Sequence, residues 1–101
     1  MRISGGKARG IPLRVTKSGL LRPATEANRE RLFSSLHHRI QESKVLDLFA
    51  GSGAYGLEAL SRGAKSVHFV ENNRKIYKDL KYNFEQVQKS ASLDTTAATF
   101  T

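Results

Sequence analysis

A chain of 101 residues is enough for one small domain, and 39% hydrophobic residues favour a folded state over a disordered one. The absence of cysteine excludes disulfides and thiolate metal sites, and no apolar run approaches the length of a membrane span. The net charge of +8 is unevenly placed: residues 1–44 hold 10 Lys/Arg against 3 Asp/Glu, whereas residues 45–101 hold 7 against 6. A basic N-terminal portion of this kind suits phosphate backbones, whose counterions are released on binding, and it also serves as a solubilising surface. The opening Met1-Arg2-Ile3-Ser4-Gly5 lacks a secretory apolar stretch, so a cytoplasmic location is expected.

In chain order, residues 1–15 read as a small β-hairpin. Ser4-Gly5-Gly6 is a turn signal, and Ile11, Leu13 and Val15 alternate with Pro12 and Arg14 at strand period. Pro12 confines that strand to an edge. Residues 16–25 form a loop ending in Thr25, an N-cap followed by Glu26 in the first helical turn. A helix is predicted over 26–41, with Leu32, Phe33, Leu36 and Ile40 as its apolar face and Arg29, Glu30 and Arg31 elsewhere.

A strand at 44–49 has the near-continuous run Val45-Leu46-Asp47-Leu48-Phe49 expected of a strand buried on both faces. A helix over 54–62 stops near Gly63, and a second strand runs from Ser66 to Glu71. A third helix over 73–89 carries Ile76, Leu80, Phe84 and Val87 on one face, and residues 91–100 hold the start of a third strand. Phe33, Phe69 and Phe84 read as core. Lys75, Lys78, Lys81 and Lys89 read as a solvated face. His37 and His38 have no partners at metal-ligand spacing, so no metal is expected.

The most informative stretch is the turn between the first strand and the next helix. Gly51-Ser52-Gly53-Ala54-Tyr55-Gly56 satisfies G-x-G-x-x-G, a strand precedes it, and Glu71 ends the following strand 20 residues after Gly51. Such a turn lets a cofactor approach the backbone, and a carboxylate at the next strand tip can accept both ribose hydroxyls. Two cofactor classes share this layout. A nicotinamide dinucleotide brings a pyrophosphate, which seeks free N–H groups and no adjacent anion. S-adenosylmethionine brings an ammonium and a sulfonium, which suit a carboxylate beside the turn. Asp47, lodged in an apolar strand, favours the second class, with a structural role for its carboxylate among the loop N–H groups compatible with it. An NAD-binding oxidoreductase domain and a non-catalytic RNA-binding module stay open as alternatives.

The run Val45-Leu46-Asp47-Leu48-Phe49-Ala50-Gly51-Ser52-Gly53 resembles motif I of class I methyltransferases of the D-x-F-A-G-S-G type. Gly56-Leu57-Glu58-Ala59-Leu60-Ser61-Arg62-Gly63-Ala64, the opening Arg2-Ile3-Ser4-Gly5, and Leu21-Arg22-Pro23-Ala24-Thr25-Glu26-Ala27-Asn28-Arg29-Glu30-Arg31-Leu32-Phe33 extend the likeness over residues 1 to about 89. Together they resemble the RsmD-like family of bacterial 16S ribosomal RNA guanine-N2 methyltransferases. The resemblance implies an α/β Rossmann-like class I methyltransferase fold with an N-terminal β-hairpin. It implies S-adenosylmethionine as cofactor, 16S rRNA in the assembling 30S subunit as partner, and methyl transfer to the exocyclic N2 of a guanine.

Carried over by residue, the cofactor would meet Asp47, Phe49, Ala50, Gly51, Ser52 and Gly53, with Glu71 on the ribose and Asn72 near the adenine. Arg22, Thr25 and Arg29 belong to the segment lying against the cofactor pocket. Arg2, Lys7, Arg9, Arg14, Lys17 and Arg29 are the expected RNA contacts. The division expected is 1–21 as an RNA-binding hairpin and loop, and 22–101 as part of the cofactor domain.

Two small departures from the family pattern are Ala24, where threonine is usual, and Thr96, near which an acid or amide would approach the adenine, with Asp94 two positions earlier. A larger one is the catalytic Asp/Asn-Pro-Pro-Phe/Tyr motif: the only prolines are Pro12 and Pro23. That motif aims the conjugated guanine amine at the methyl group and stacks on the flipped base. With the sheet ending near strand three, the sequence reads as the N-terminal half of a methyltransferase domain, with an incomplete parallel sheet. The missing C-terminal half carries the catalytic residues, and the 101-residue chain alone is expected to be inactive.

Overall fold

The computed structural model describes residues 1–15 and 25–101. Its elements are helix α1 (Glu26–Leu36), a 3-10 turn (His37–Ile40), strand β1 (Lys44–Leu48), helix α2 (Ala54–Ser61), strand β2 (Ser66–Val70), helix α3 (Arg74–Ala91), a second 3-10 turn (Thr95–Ala97) and strand β3 (Ala98–Phe100). The three strands are parallel in the order β1-β2-β3, with Val45 opposite Val67 and Val67 opposite Ala98. Each crossover between neighbouring parallel strands carries a helix, as parallel pairing requires.

The core lies between the sheet and the two crossover helices, centred on Leu57, Leu60, Val67, Phe69, Leu80 and Val87. The apolar stripe predicted for α3 is there: Ile76, Leu80, Phe84 and Val87 are all buried. Asn73 caps that helix, its side-chain oxygen accepting from the N–H groups of Lys75 and Ile76. Phe100 stacks on Phe69 with ring centroids 5.4 Å apart and meets Phe84 edge-on, which fastens β3 to the core.

Several sequence expectations are corrected. The first helix stops at Leu36 and tightens into a 3-10 turn. His37 takes a positive φ of 50°, and the poor helix formers His37 and His38 sit where the α-helix would have continued. Its inward face is built on Arg29 and Phe33, while Leu32 is exposed. β1 is covered on one face only. Leu46 and Leu48 are 61% and 56% exposed, because among the described residues nothing packs over them and β1 pairs with β2 alone.

The N-terminal hairpin reduces to one antiparallel bridge, Arg2 with Pro12, extended by Ile3 N–H to Ile11 O and Leu13 N–H to Met1 O. Ile3, Ala8 and Leu13 are buried in the common core, so this segment folds with the sheet rather than as a separate body.

Gly56 shows how closely α2 lies on the sheet. A Cβ there would come within 2.3 Å of the Phe69 ring and 2.9 Å of Val67. Gly56→Ala is therefore expected to cost about 1–3 kcal/mol through overpacking, read as a lower urea midpoint at unchanged slope.

Candidate cofactor site

The tips of β1 and β2 and the N-terminus of α2 converge on the turn 49–53. Gly51 and Gly53 hold φ of 59° and 91°, which glycine adopts without strain. Phe49, just before them, also has a positive φ of 59°, unusual for a bulky residue, and its side chain is 93% exposed. Ala50 and Ser52 are buried, and Ala50 N–H donates to Val70 O at 2.8 Å, so the turn is tied to β2.

Two carboxylates hold the turn from opposite ends. Asp47 Oδ2 accepts from Gly56 N–H at 3.1 Å, satisfying one of the first-turn amides of α2. Glu71 Oε1 accepts from Gly51 N–H at 2.9 Å, and its Oε2 accepts from Asn73 N–H at 2.9 Å. Burial pushes the Asp47 carboxyl above the usual carboxylate range. The Gly56 amide works against that shift, and the negative charge of Glu71 adds to it.

Beside Asp47 a cleft of about 480 Å³ opens between α1, β1 and α2, bordered by Leu32, Phe33, Val45, Leu46 and Tyr55. Glu71 lies outside it. The two acids thus share the strand-tip turn rather than the cleft.

Of the other expected site residues, Asn72 is exposed beside Glu71. Thr25 is occupied as an N-cap, its hydroxyl accepting from Asn28 N–H at 3.1 Å. Arg22 and Lys17 lie outside the described residues, as does Ala24. Asp94 caps the second 3-10 turn. It accepts from the N–H and hydroxyl of Thr96, which hold its carboxyl below the ordinary range. Arg2, Lys7, Arg9 and Arg14 are exposed.

Arg29 is corrected: it is wholly buried, 3.3 Å from Glu58, and also donates to Arg2 O. It is a structural cation, because a guanidinium buried beside a carboxylate is not presented to a surface ligand.

Sequence reasoning missed that carboxylate. Glu58 is fully buried and accepts from Ser4 N–H, Gly5 N–H, Arg29 and Arg62, joining the N-terminal segment, α1 and α2 at one point. The signal was a charged residue on the apolar flank Leu57-Glu58-Ala59-Leu60. Ser61 adds a second fastening, its hydroxyl accepting from Ala8 N–H and donating to Gly5 O. Among the described residues no cluster of His, Asp or Glu is gathered as a metal site, and no helix is long and apolar enough to cross a membrane.

A parallel β-α-β-α-β unit whose first turn is glycine-rich and clasped by acids at two strand tips is a partial Rossmann-like fold of class I methyltransferases. The chain aligns with the Escherichia coli putative methyltransferase yhhF with a TM-score of 0.82 at 38% identity, covering 99% of this chain and 50% of that one. A hypothetical protein of a Thermus species aligns with a TM-score of 0.78 at 37% identity, covering 99% of this chain and 53% of that one. In sequence, the chain is 43% identical over 91 residues to ribosomal RNA small subunit methyltransferase D of Haemophilus influenzae, covering 90% of this chain and 47% of the relative. To the Escherichia coli K12 protein of that name it is 48% identical over 80 residues, covering 79% of this chain and 40% of the relative.

The chain belongs to the RsmD-like methyltransferase family, whose profile, described as conserved hypothetical protein 95, matches residues 1–100. It spans about half the length of the curated relatives it matches.

Proposed function

We propose that this chain is the cofactor-binding part of an S-adenosylmethionine-dependent methyltransferase acting on the exocyclic N2 of a guanine in 16S rRNA, in the cytoplasm on the assembling 30S subunit. The observation that carries the cofactor assignment is the commitment of the turn's amides. Gly51 and Gly56 N–H already meet carboxylates, and Gly53 N–H meets Ala50 O. A pyrophosphate would face two anions and find those donors taken, whereas an ammonium gains from both acids.

The residues fit the amino-acid and ribose ends of S-adenosylmethionine. Asp47 would receive the ammonium. Glu71 keeps unused lone pairs on both oxygens for the ribose diol. Gly51 and Gly53 give the turn its left-handed backbone, a Cβ at Gly53 being barred by Leu80 and Leu57 of the core, and Phe49, exposed on the turn, would meet the ligand together with Ala50 and Ser52. Asn72, exposed beside Glu71, would meet the adenine, and Arg22 and Thr25 of the segment before α1 would lie against the cofactor. When bound, the group supplies an electrophilic methyl.

No residue here is assigned to catalysis. The Pro-Pro motif is absent from the sequence, and we assign it to the part of the relatives that this chain does not span. Residues 1–21 serve the RNA through Arg2, Lys7, Arg9, Arg14 and Lys17, and residues 22–101 serve the cofactor.

Calorimetry tests the assignment. S-adenosylhomocysteine should bind and NADH should not. Glu71→Ala should weaken the binding at least tenfold, since a lost hydrogen bond to a charged group costs about 1.5–3 kcal/mol. Binding of NADH alone, or undiminished affinity in the variant, would reverse the reading.

A further inference from the structure

Residues 82 and 83 of α3 grip one exposed arginine of the basic N-terminal segment from two sides. Asn83 is fully buried. Its Oδ1 accepts from Arg14 N–H at 2.7 Å, and its Nδ2 donates to Arg14 O at 2.8 Å and to Ser52 O at 2.8 Å. One side chain thus joins the basic segment to the middle of the glycine turn, with both of its amide protons used. Ser52 has a second link to the same segment, its hydroxyl lying 3.9 Å from Met1 Sδ. Next to Asn83, the ring of Tyr82 carries the Arg14 guanidinium 3.7 Å from its centroid. Stacking occupies the face of a guanidinium and leaves the in-plane N–H donors at its rim free, as phosphate recognition requires.

We propose that Tyr82 and Asn83 are positioning residues that lock the RNA-contacting Arg14 to the cofactor turn, so that RNA and cofactor binding are coupled through the Arg14–Asn83–Ser52 bridge. The proposal rests on the functional reading above. Ordering of Arg14 by a phosphate backbone restrains the Asn83 amide, which restrains Ser52 O. A turn already held still binds its ligand with less entropy to lose, and linkage makes the effect reciprocal.

The test is a binding cycle on the 101-residue chain with S-adenosylhomocysteine and in vitro transcribed 16S rRNA. In the parent chain, saturating rRNA should tighten S-adenosylhomocysteine binding by about fivefold or more. Asn83→Asp keeps the oxygen that meets Arg14 N–H but sets an oxygen against Arg14 O and Ser52 O. Both ligands should still bind, with the coupling reduced to less than about twofold. Tyr82→Leu leaves the bridge in place. It should weaken rRNA binding about two- to fivefold without changing S-adenosylhomocysteine affinity measured alone, and Tyr82→Phe should restore it.

Should Asn83→Asp fail to fold, Asn83→Ser, which removes the donor to Ser52 O, carries the test of the coupling, and the Tyr82 pair tests the positioning of Arg14. Unchanged coupling in folded Asn83→Asp or Asn83→Ser, or unchanged rRNA affinity in Tyr82→Leu, overturns the proposal. A parent chain that binds both ligands independently overturns the coupling alone, whereas one that binds no S-adenosylhomocysteine overturns the functional reading and the coupling with it.

Discussion

Glu58→Ala should destabilise the fold by roughly 3–5 kcal/mol, a large share of the total for a domain of this size. The carboxylate is fully buried and its four contacts come from three parts of the chain: the Ser4 and Gly5 amides, Arg29 of α1, and Arg62 after α2. Removing it takes the carboxylate from the buried Arg29, which keeps its bond to Arg2 O, and strands two amides. Each of those losses is a desolvation cost with nothing in return. Glu58→Gln should fall between parent and alanine, because one oxygen can still serve one amide.

Replacing both charges, as Glu58→Leu with Arg29→Met, should recover part of the loss and not all of it, since the Ser4 and Gly5 N–H groups remain unserved. Raised salt should barely change these differences, in contrast to the exposed Arg2–Glu26 pair at 3.6 Å. Urea unfolding measures all of this. A loss below about 1 kcal/mol in Glu58→Ala would show that the network contributes no more than a surface ion pair does.

This network also marks where the sequence ceased to be readable. The parallel unit, the glycine turn, Asp47 and Glu71 were legible because they obey local rules: strand period, turn chemistry, and an acid at a fixed distance from the glycines. The α3 stripe was legible because 3.6-residue periodicity is strong over 18 residues. Glu58 was missed and Arg29 misread because a charged side chain is assigned to the surface by default, and only a partner far along the chain reverses that assignment.

Asn83 sits at helical spacing from Leu80 and Val87, so its inward direction was implicit in the sequence. Its partners, 31 and 69 residues away, were not. Leu46 and Leu48 were expected to be covered because the run around them reads as a central strand. Periodicity cannot say that, among the described residues, one face is left uncovered. The glycines, likewise, announced a turn, and a bond from Asp47 to the loop amides was foreseen, but not that Glu71 would take the Gly51 amide from the next strand, the arrangement on which the proposed choice of cofactor rests.

Asp47→Asn should move stability and ligand affinity in opposite directions. Burial raises the Asp47 pKa in the folded protein, with the Glu71 charge adding to it and the Gly56 amide opposing. The folded state therefore holds this proton more tightly than the unfolded chain, where the group titrates near about 3.9. As pH rises from that value through the raised one, stability falls, and above it the deficit is constant.

At neutral pH the ionised carboxylate is thus a standing cost to the ligand-free fold. Asparagine removes that cost while offering an oxygen of the same reach to Gly56 N–H. The variant should melt higher than the parent at pH 7, with the gap closing as pH drops below the ordinary carboxylate range, where Asp47 is protonated in both states. S-adenosylhomocysteine binding should meanwhile weaken by about tenfold or more, because the charge-assisted contact to the ammonium is gone. A carboxylate that only capped α2 would give a different pair of results: a lower melting temperature at pH 7 and unchanged affinity. Thermal unfolding across pH, together with calorimetry at pH 7, distinguishes a charge kept in the strand for its ligand from one kept there for the fold.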